Sequence, residues 1–75
     1  PYKVVHNTLA ALRGAVYPDA VIVIGGHRDA WNAGSVDNVS GVASILEAAR
    51  AAERALDGRR PARTLVFATW DAEEW

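Results

Sequence analysis

Residues 21–26 read VIVIGG, a continuous run of β-branched side chains that ends in two glycines. An unbroken apolar run of this length between turn residues is typical of a strand that is buried on both faces of a sheet. The glycines let the backbone turn away at its end. Residues 64–68, TLVFA, form a second run of the same kind. These two runs predict strands of the type found in parallel sheets.

Between the two runs, residues 37–56 have the pattern of an amphipathic helix. Asp37 and Asn38 favour a helix start, and Gly58 favours a helix end. Apolar side chains recur at helical spacing: Val39, Val42, Ala43, Ile45, Leu46, Ala49, Ala52 and Leu56. The segment therefore predicts a helix whose apolar side packs on the sheet.

Ahead of these elements, residues 3–13 predict a first strand, and residues 14–19 predict a turn because they contain a Pro-Asp pair. The resulting order is strand, strand, helix, strand. This order predicts an α/β layered fold with a mixed, mainly parallel sheet and a right-handed crossover through the helix.

The composition is that of one small globular domain. The chain has 75 residues, of which 51% are hydrophobic and 23% charged, with a net charge of −1. No basic patch indicates nucleic-acid binding, and no apolar run approaches the roughly 20 residues of a membrane span. There is no cysteine, so a metal would have to be held by histidine and carboxylates. The chain begins without Met and ends within a motif, so we expect a piece of a longer protein.

Acidic residues and a histidine follow the ends of both predicted strands. They are His27, Asp29 and Asp37 after the first strand, and Asp71, Glu73 and Glu74 after the second. In open α/β sheets, functional groups gather outside the carboxyl ends of the strands, so these side chains converge if the strands are neighbours. Grouping several carboxylates there is costly unless a cation compensates them. Imidazole and carboxylate together suit zinc or a similar divalent ion.

Two motifs carry a resemblance to a known family. GGHRDAWNAGSVDN at residues 25–38 and RTLVFATWDAEEW at residues 63–75 resemble the catalytic core of the two-zinc exopeptidases, and residues 12–31 resemble their glutamate carboxypeptidase branch in particular. The resemblance covers nearly the whole chain. It implies that residues 1–75 are the N-terminal part of a zinc-peptidase catalytic domain, cut after the Glu-Glu motif, and a fragment of a three-layer sandwich.

The resemblance also implies roles for individual residues. His27 would ligate one zinc ion, Glu74 the second, and Asp37 would bridge both. Glu73 would be the general base, and Asp29 would orient the ring of His27. The family's remaining ligands, an aspartate and a histidine, would lie beyond the last residue, so each ion lacks one ligand here and we expect the piece alone to be inactive. The peptide bond after Asp37 is expected to be cis.

The implied activity is hydrolysis of terminal peptide bonds of small peptides by a zinc-dependent exopeptidase. A homodimer, and an exported or membrane-anchored parent protein, are expectations of the same resemblance. The alternative is a non-catalytic, receptor-like relative with the same fold. Such relatives typically lose metal ligands, whereas the whole implied set is present in this chain: His27, Asp37, Glu73 and Glu74.

Taken one at a time, the same residues have simpler interpretations. His27 alone would more often be a hydrogen-bonded loop histidine, and Asp37 alone would be a helix N-cap. The adjacent glutamates alone would be the acidic first turn of a helix, favoured by the helix dipole. His-Arg-Asp at residues 27–29 also imitates the kinase catalytic loop, but that motif requires an asparagine where this chain has Gly34.

Overall fold

The structure is a computed structural model and describes residues 2–75. Those residues form three strands and one long helix: β1 (Thr8–Leu12), β2 (Tyr17–His27), α1 (Gly41–Leu56) and β3 (Arg63–Trp70). The predicted α/β class and element order are confirmed, while the third layer of a sandwich stays a prediction. Within the described residues, no helix is long and apolar enough to cross a membrane.

The sheet is mixed, and β3 is its central strand in the order β1-β3-β2. β1 pairs with β3 antiparallel, and β2 pairs with β3 parallel. In the parallel pair, Ile24 lies opposite Phe67 and His27 lies opposite Trp70. The carboxyl ends of β2 and β3 therefore lie side by side at one edge of the sheet.

The first strand is shorter than the sequence pattern predicted. β1 covers only Thr8–Leu12, and the described residues before it have no regular structure. Thr8 lies opposite Thr69, which is the residue before the last one of β3. Residues before Asn7 therefore run past the last residue of the central strand.

β2 starts earlier than predicted, inside the segment 14–19 that was expected to be a turn. Its register against β3 shifts just after Tyr17, so the following residues bulge out of the ladder. Thr64 holds this irregular start. Its hydroxyl donates to the carbonyl oxygen of Pro18 at 2.6 Å and accepts the backbone N–H of Gly14 at 3.0 Å.

Helix α1 covers one face of the sheet and forms the small core with β3. The buried apolar residues are Ile45, Phe67 and Ala68, each 6–7% exposed. On the opposite face Ala68 is buried, but the side chains of β2 are exposed in the described residues. Val21 is 52% exposed and Val23 59%, so the expected burial of β2 on both faces is not observed here. The reason is geometric, because alternate residues of a strand point to opposite faces and α1 covers only one of them.

The helix begins later than predicted. α1 starts at Gly41, and Ser35–Ser40 form a kinked, wide turn before it. Asp37 has non-helical backbone angles, φ −114° and ψ 85°, and it is not a helix cap. Gly34 enters this turn with φ 63°, a left-handed conformation that favours glycine. The predicted helix end at Leu56 agrees with the structure.

Candidate metal centre

His27 is the last residue of β2, and its side chain is only 15% exposed. Its Nδ1 atom lies 3.0 Å from the carbonyl oxygen of Asp29 and 3.3 Å from the carboxylate oxygen Oδ1 of the same residue. Both partners are acceptors, so they favour the tautomer with the proton on Nδ1. The lone pair of Nε2 is then free to bind a cation.

Asp37 faces the free nitrogen of His27 from the wide turn before α1. Its Oδ1 atom lies 3.1 Å from Nε2 of His27, and its side chain is 70% exposed. Two ligands of one tetrahedral zinc ion stand about 3.3 Å apart, given metal–ligand distances of about 2.0–2.1 Å. The observed spacing therefore suits two ligands of one ion. The Asp37–Asn38 peptide bond is cis, as the resemblance implied.

The two glutamates follow β3 in a tight turn rather than in the first turn of a helix. Their backbone N–H groups both donate to the carboxylate of Asp29, at 3.2 Å from Glu73 and 2.9 Å from Glu74. Oε2 of Glu73 lies 3.7 Å from Nε2 of His27. Asp29 thus holds the turn that carries both glutamates beside the histidine.

The five residues to which the resemblance assigned a role come together, whereas Asp71, which was also expected to converge, lies beside Arg28 instead. One ligand atom each from His27, Asp37 and Glu74 lies within 4.8 Å of the other two. They reach this point from the end of β2, from the turn before α1 and from the turn after β3. Three separate segments of the chain thus supply one compact set of donors.

The electrostatics of this cluster are those of crowded anions around an imidazole. For His27, burial lowers the pKa, but the Asp29 carbonyl, the charges of Glu73 and Asp37 and the Asp29 carboxylate outweigh it, so the pKa is raised. A hydrogen bond with the Asp37 carboxyl group is the largest cause of the raised pKa of Glu74, followed by burial and the neighbouring anions. Facing carboxyl groups hold either a shared proton or a cation.

Asp29 behaves in the opposite way. Burial raises the pKa of its carboxyl group, but the backbone N–H groups of Glu74 and Glu73 and the ring of His27 outweigh burial and lower the pKa. A carboxylate that accepts several hydrogen bonds stays ionised. Asp29 is therefore an anion that holds its neighbours in place while its own oxygens are occupied.

The donor set fits zinc. One imidazole nitrogen and two carboxylate oxygens are typical protein ligands of zinc, and the second nitrogen of the imidazole already has the hydrogen-bond partner that zinc-binding histidines usually have. The chain contains no cysteine, so a thiolate site is excluded. The residue types and their spacing are therefore those that zinc, or a divalent ion with the same ligand preference, takes.

Sequence reasoning did not find the contacts that attach the N-terminal segment to this site. The guanidinium of Arg28 donates to the carbonyl oxygen of Thr69 at 3.2 Å and to that of His6, and it lies 3.8 Å from the carboxylate of Asp71. The side-chain oxygen of Asn7 accepts the backbone N–H of Asp71 at 3.1 Å. Arg28 thus connects the end of β2 with the N-terminal segment and with the residues at the end of β3.

The chain is similar in sequence to a known family and to several known proteins. The sequence profile of Peptidase family M28 matches residues 7–75. The Glutamate carboxypeptidase 2 homolog of Caenorhabditis briggsae is 47% identical over 75 residues, which cover 97% of this chain and 10% of that protein. The Aminopeptidase NAALADL1 of Rattus norvegicus is 44% identical over 71 residues, covering 92% of this chain and 10% of that protein.

A plant protein is similar over the same region. The Probable glutamate carboxypeptidase AMP1 of Arabidopsis thaliana is 39% identical over 74 residues, covering 97% of this chain and 10% of that protein. The chain thus spans about a tenth of the length of these curated relatives. The matched region contains both strand ends and the whole donor cluster, and the chain belongs to Peptidase family M28.

Proposed function

We propose that this chain carries part of the metal centre of a zinc-dependent exopeptidase, similar to glutamate carboxypeptidases, that hydrolyses terminal peptide bonds of small peptides. The observation that supports the proposal most is the convergence of His27, Asp37 and Glu74 to within 4.8 Å at the carboxyl ends of two parallel strands. The names of the similar proteins, which include carboxypeptidases and an aminopeptidase, support the same reaction class.

In this proposal each donor has one task. His27 would hold one zinc ion through Nε2, Glu74 would hold the second, and the carboxylate of Asp37 would contribute to holding both. Asp29 keeps the His27 ring in the binding tautomer through the contacts at Nδ1. When bound, the two ions supply Lewis acidity at the scissile carbonyl and at the attacking water.

Glu73 is the general base of the proposed reaction. Its side chain is 53% exposed and its carboxylate lies 3.7 Å from Nε2 of His27, so it borders the metal ligands and is open to a substrate. Glu73 takes a proton from the water that attacks the peptide carbonyl and passes it to the leaving amine. Adjacency to Glu74 puts the base and a ligand on one turn.

The test is peptide hydrolysis by the full-length protein. Removal of zinc with a chelator should abolish turnover, and re-addition of zinc should restore it. Glu73→Gln should lower turnover about 10²–10⁴-fold while zinc still binds, because the amide cannot accept the proton. Glu47→Gln, on the exposed side of α1, is the matched control and should keep full activity. Undiminished turnover in Glu73→Gln would refute the general-base role.

Two further measurements divide the remaining alternatives. Peptides blocked at either end show from which terminus the enzyme cleaves. A protein that binds zinc but hydrolyses neither kind of peptide would instead be the receptor-like relative, an interpretation that the retained residues His27, Asp37, Glu73 and Glu74 oppose. The homodimer stays a prediction, which light scattering of the full-length protein tests.

A further inference from the structure

We propose that Asn38 is a positioning residue of the metal centre, which sets the distance between His27 and Asp37; the inference rests on the proposed function. The amide nitrogen Nδ2 of Asn38 donates to the backbone carbonyl oxygen of His27 at 2.9 Å. The same histidine faces Asp37 through its ring at 3.1 Å. One side chain thus connects the turn that carries one ligand to the strand end that carries the other.

The amide of Asn38 is wedged between two glycines. A Cβ atom at Gly26 would lie 2.9 Å from Nδ2 of Asn38, and a Cβ atom at Gly41 would lie 2.6 Å from its Cγ and closer still to its Oδ1. Real Cβ atoms essentially never come so close to other heavy atoms, so a side chain at either position would displace the amide. The absence of side chains at these glycines makes room for Asn38 between β2 and α1.

Asn38 also connects to the start of the helix through its backbone. The N–H of Gly41 donates to the carbonyl oxygen of Asn38, at the point where α1 begins. The backbone of Asp37 is non-helical and its side chain is 70% exposed, so the position of its carboxylate depends on how the wide turn is held. The amide of Asn38 holds this turn against His27, and its loss lets Asp37 move away from Nε2.

The first experiment measures zinc affinity of the full-length protein by calorimetry, with zinc ion as the only ligand. Asn38→Ala removes the amide, and Asn38→Leu keeps its size without the donor. Both should weaken zinc binding about ten- to hundredfold, the loss typical of removing a group that orients a ligand. Asn32→Ala, an exposed asparagine in the same loop, is the matched control and should bind zinc as the wild type does.

Thermal unfolding of the metal-free variants separates positioning from general support of the fold. A positioning role predicts weaker zinc binding with an unfolding temperature close to that of the metal-free wild type. A merely structural role predicts the reverse, namely a lowered unfolding temperature with unchanged zinc affinity in the folded protein. That second result would overturn the inference.

Gly41→Ala tests the same idea with Asn38 kept in place. Gly41 has helical backbone angles, φ −64° and ψ −45°, so alanine fits the backbone there and normally stabilises a helix. The added methyl group should nevertheless weaken zinc binding, because it pushes the amide of Asn38 aside. In an Asn38→Ala background the same change should have no further effect on zinc affinity. If the zinc affinity of the double variant falls by the product of the two single-variant losses, the inference is overturned.

The outcomes for this inference and for the proposed function are distinct. If the wild-type protein binds no zinc, the proposed function fails and this inference fails with it. If the wild type binds zinc and both Asn38 variants bind it equally well, only the positioning role is refuted.

Discussion

The carboxylate of Asp29 accepts the backbone N–H of Glu74 at 2.9 Å, although the two residues are 45 positions apart in the chain. The same carboxylate lies 3.3 Å from Nδ1 of His27. One anion therefore connects the end of β2 with the turn after β3 and orients groups in both. The site depends on this connection because each strand end alone supplies only part of the donor set.

Replacing Asp29 should therefore disturb both halves of the site. Asp29→Asn keeps one side-chain oxygen but removes the negative charge. The carboxylate is the partner of the His27 ring and accepts hydrogen bonds from two backbone N–H groups. We expect zinc affinity, measured by calorimetry, to fall about ten- to hundredfold. Asp19→Asn makes the same chemical change at an exposed position and should leave zinc affinity unchanged. Equal affinities of Asp29→Asn and the wild type would contradict this role.

The contribution of His27 to stability should change with pH in opposite directions with and without zinc. In the metal-free protein the pKa of His27 is raised above its usual 6.5, so folding favours its protonated form. This contribution is fully present below the unfolded-state pKa and is lost as pH rises through the raised pKa. Zinc instead requires the neutral imidazole, so the stabilisation that zinc adds should grow over the same pH range.

Thermal unfolding between about pH 6 and about pH 8, in chelator and in zinc, tests this expectation, since the interval brackets the usual histidine range. The difference in unfolding temperature between the wild type and His27→Gln, taken at each pH, gives the contribution of this one residue. His6→Gln removes an exposed histidine and should not alter the pH dependence of the unfolding temperature in chelator or in zinc. A stabilisation by zinc that does not change with pH would argue against His27 as a ligand.

Arg28 should stabilise the fold by attaching the N-terminal segment to the end of β3. Its guanidinium donates to the carbonyl oxygens of Thr69 and His6 and lies 3.8 Å from Asp71. Because its side chain is about one-third exposed, we expect Arg28→Ala to cost only about 1–2 kcal/mol in the free energy of unfolding. Chemical denaturation measures this loss. Arg54→Ala, exposed on α1, should stay within about 0.5 kcal/mol of the wild type.

Ile45 should be the helix residue on which packing of α1 depends most. It is 7% exposed, and its Cδ1 atom lies beside Gly26, 3.4 Å from where a Cβ atom would be. Ile45→Ala should lower the free energy of unfolding by about 2–5 kcal/mol and Ile45→Val by about 0.5–1.5 kcal/mol. Denaturant titration of both variants tests this order. A loss from Ile45→Ala no larger than that from Ile45→Val would contradict the assigned packing.

The sequence alone was sufficient where a feature depends on neighbouring residues. The apolar run at residues 21–24 and the run at residues 64–68 predicted β2 and β3, and the helix end at Leu56 was predicted from the residues around it. The resemblance was also decisive, since two separate motifs predicted the family. The strand runs and the helix end depend on neighbouring residues, and the family is indicated by two sequence motifs, so all of them can be recognised in the sequence.

The helix start shows where local signals fail. Asp37 and Asn38 have the composition of a helix start, yet both lie in a non-helical turn and α1 begins at Gly41. The amide of Asn38 bonds to the carbonyl of His27 instead of capping the helix. A tertiary hydrogen bond and the space between two glycines thus outweighed a local preference.

What the chain determined by itself is its class, its elements and the kinds of side chain that follow each strand. What only the tertiary structure decided is that the two predicted parallel strands, β2 and β3, are direct neighbours, and that Asp29 therefore reaches the backbone of Glu73 and Glu74. The physical reason is that a hydrogen bond from a side chain to a distant backbone group depends on strand pairing. Every residue except proline has the same backbone donor, so such a bond leaves no pattern in the sequence.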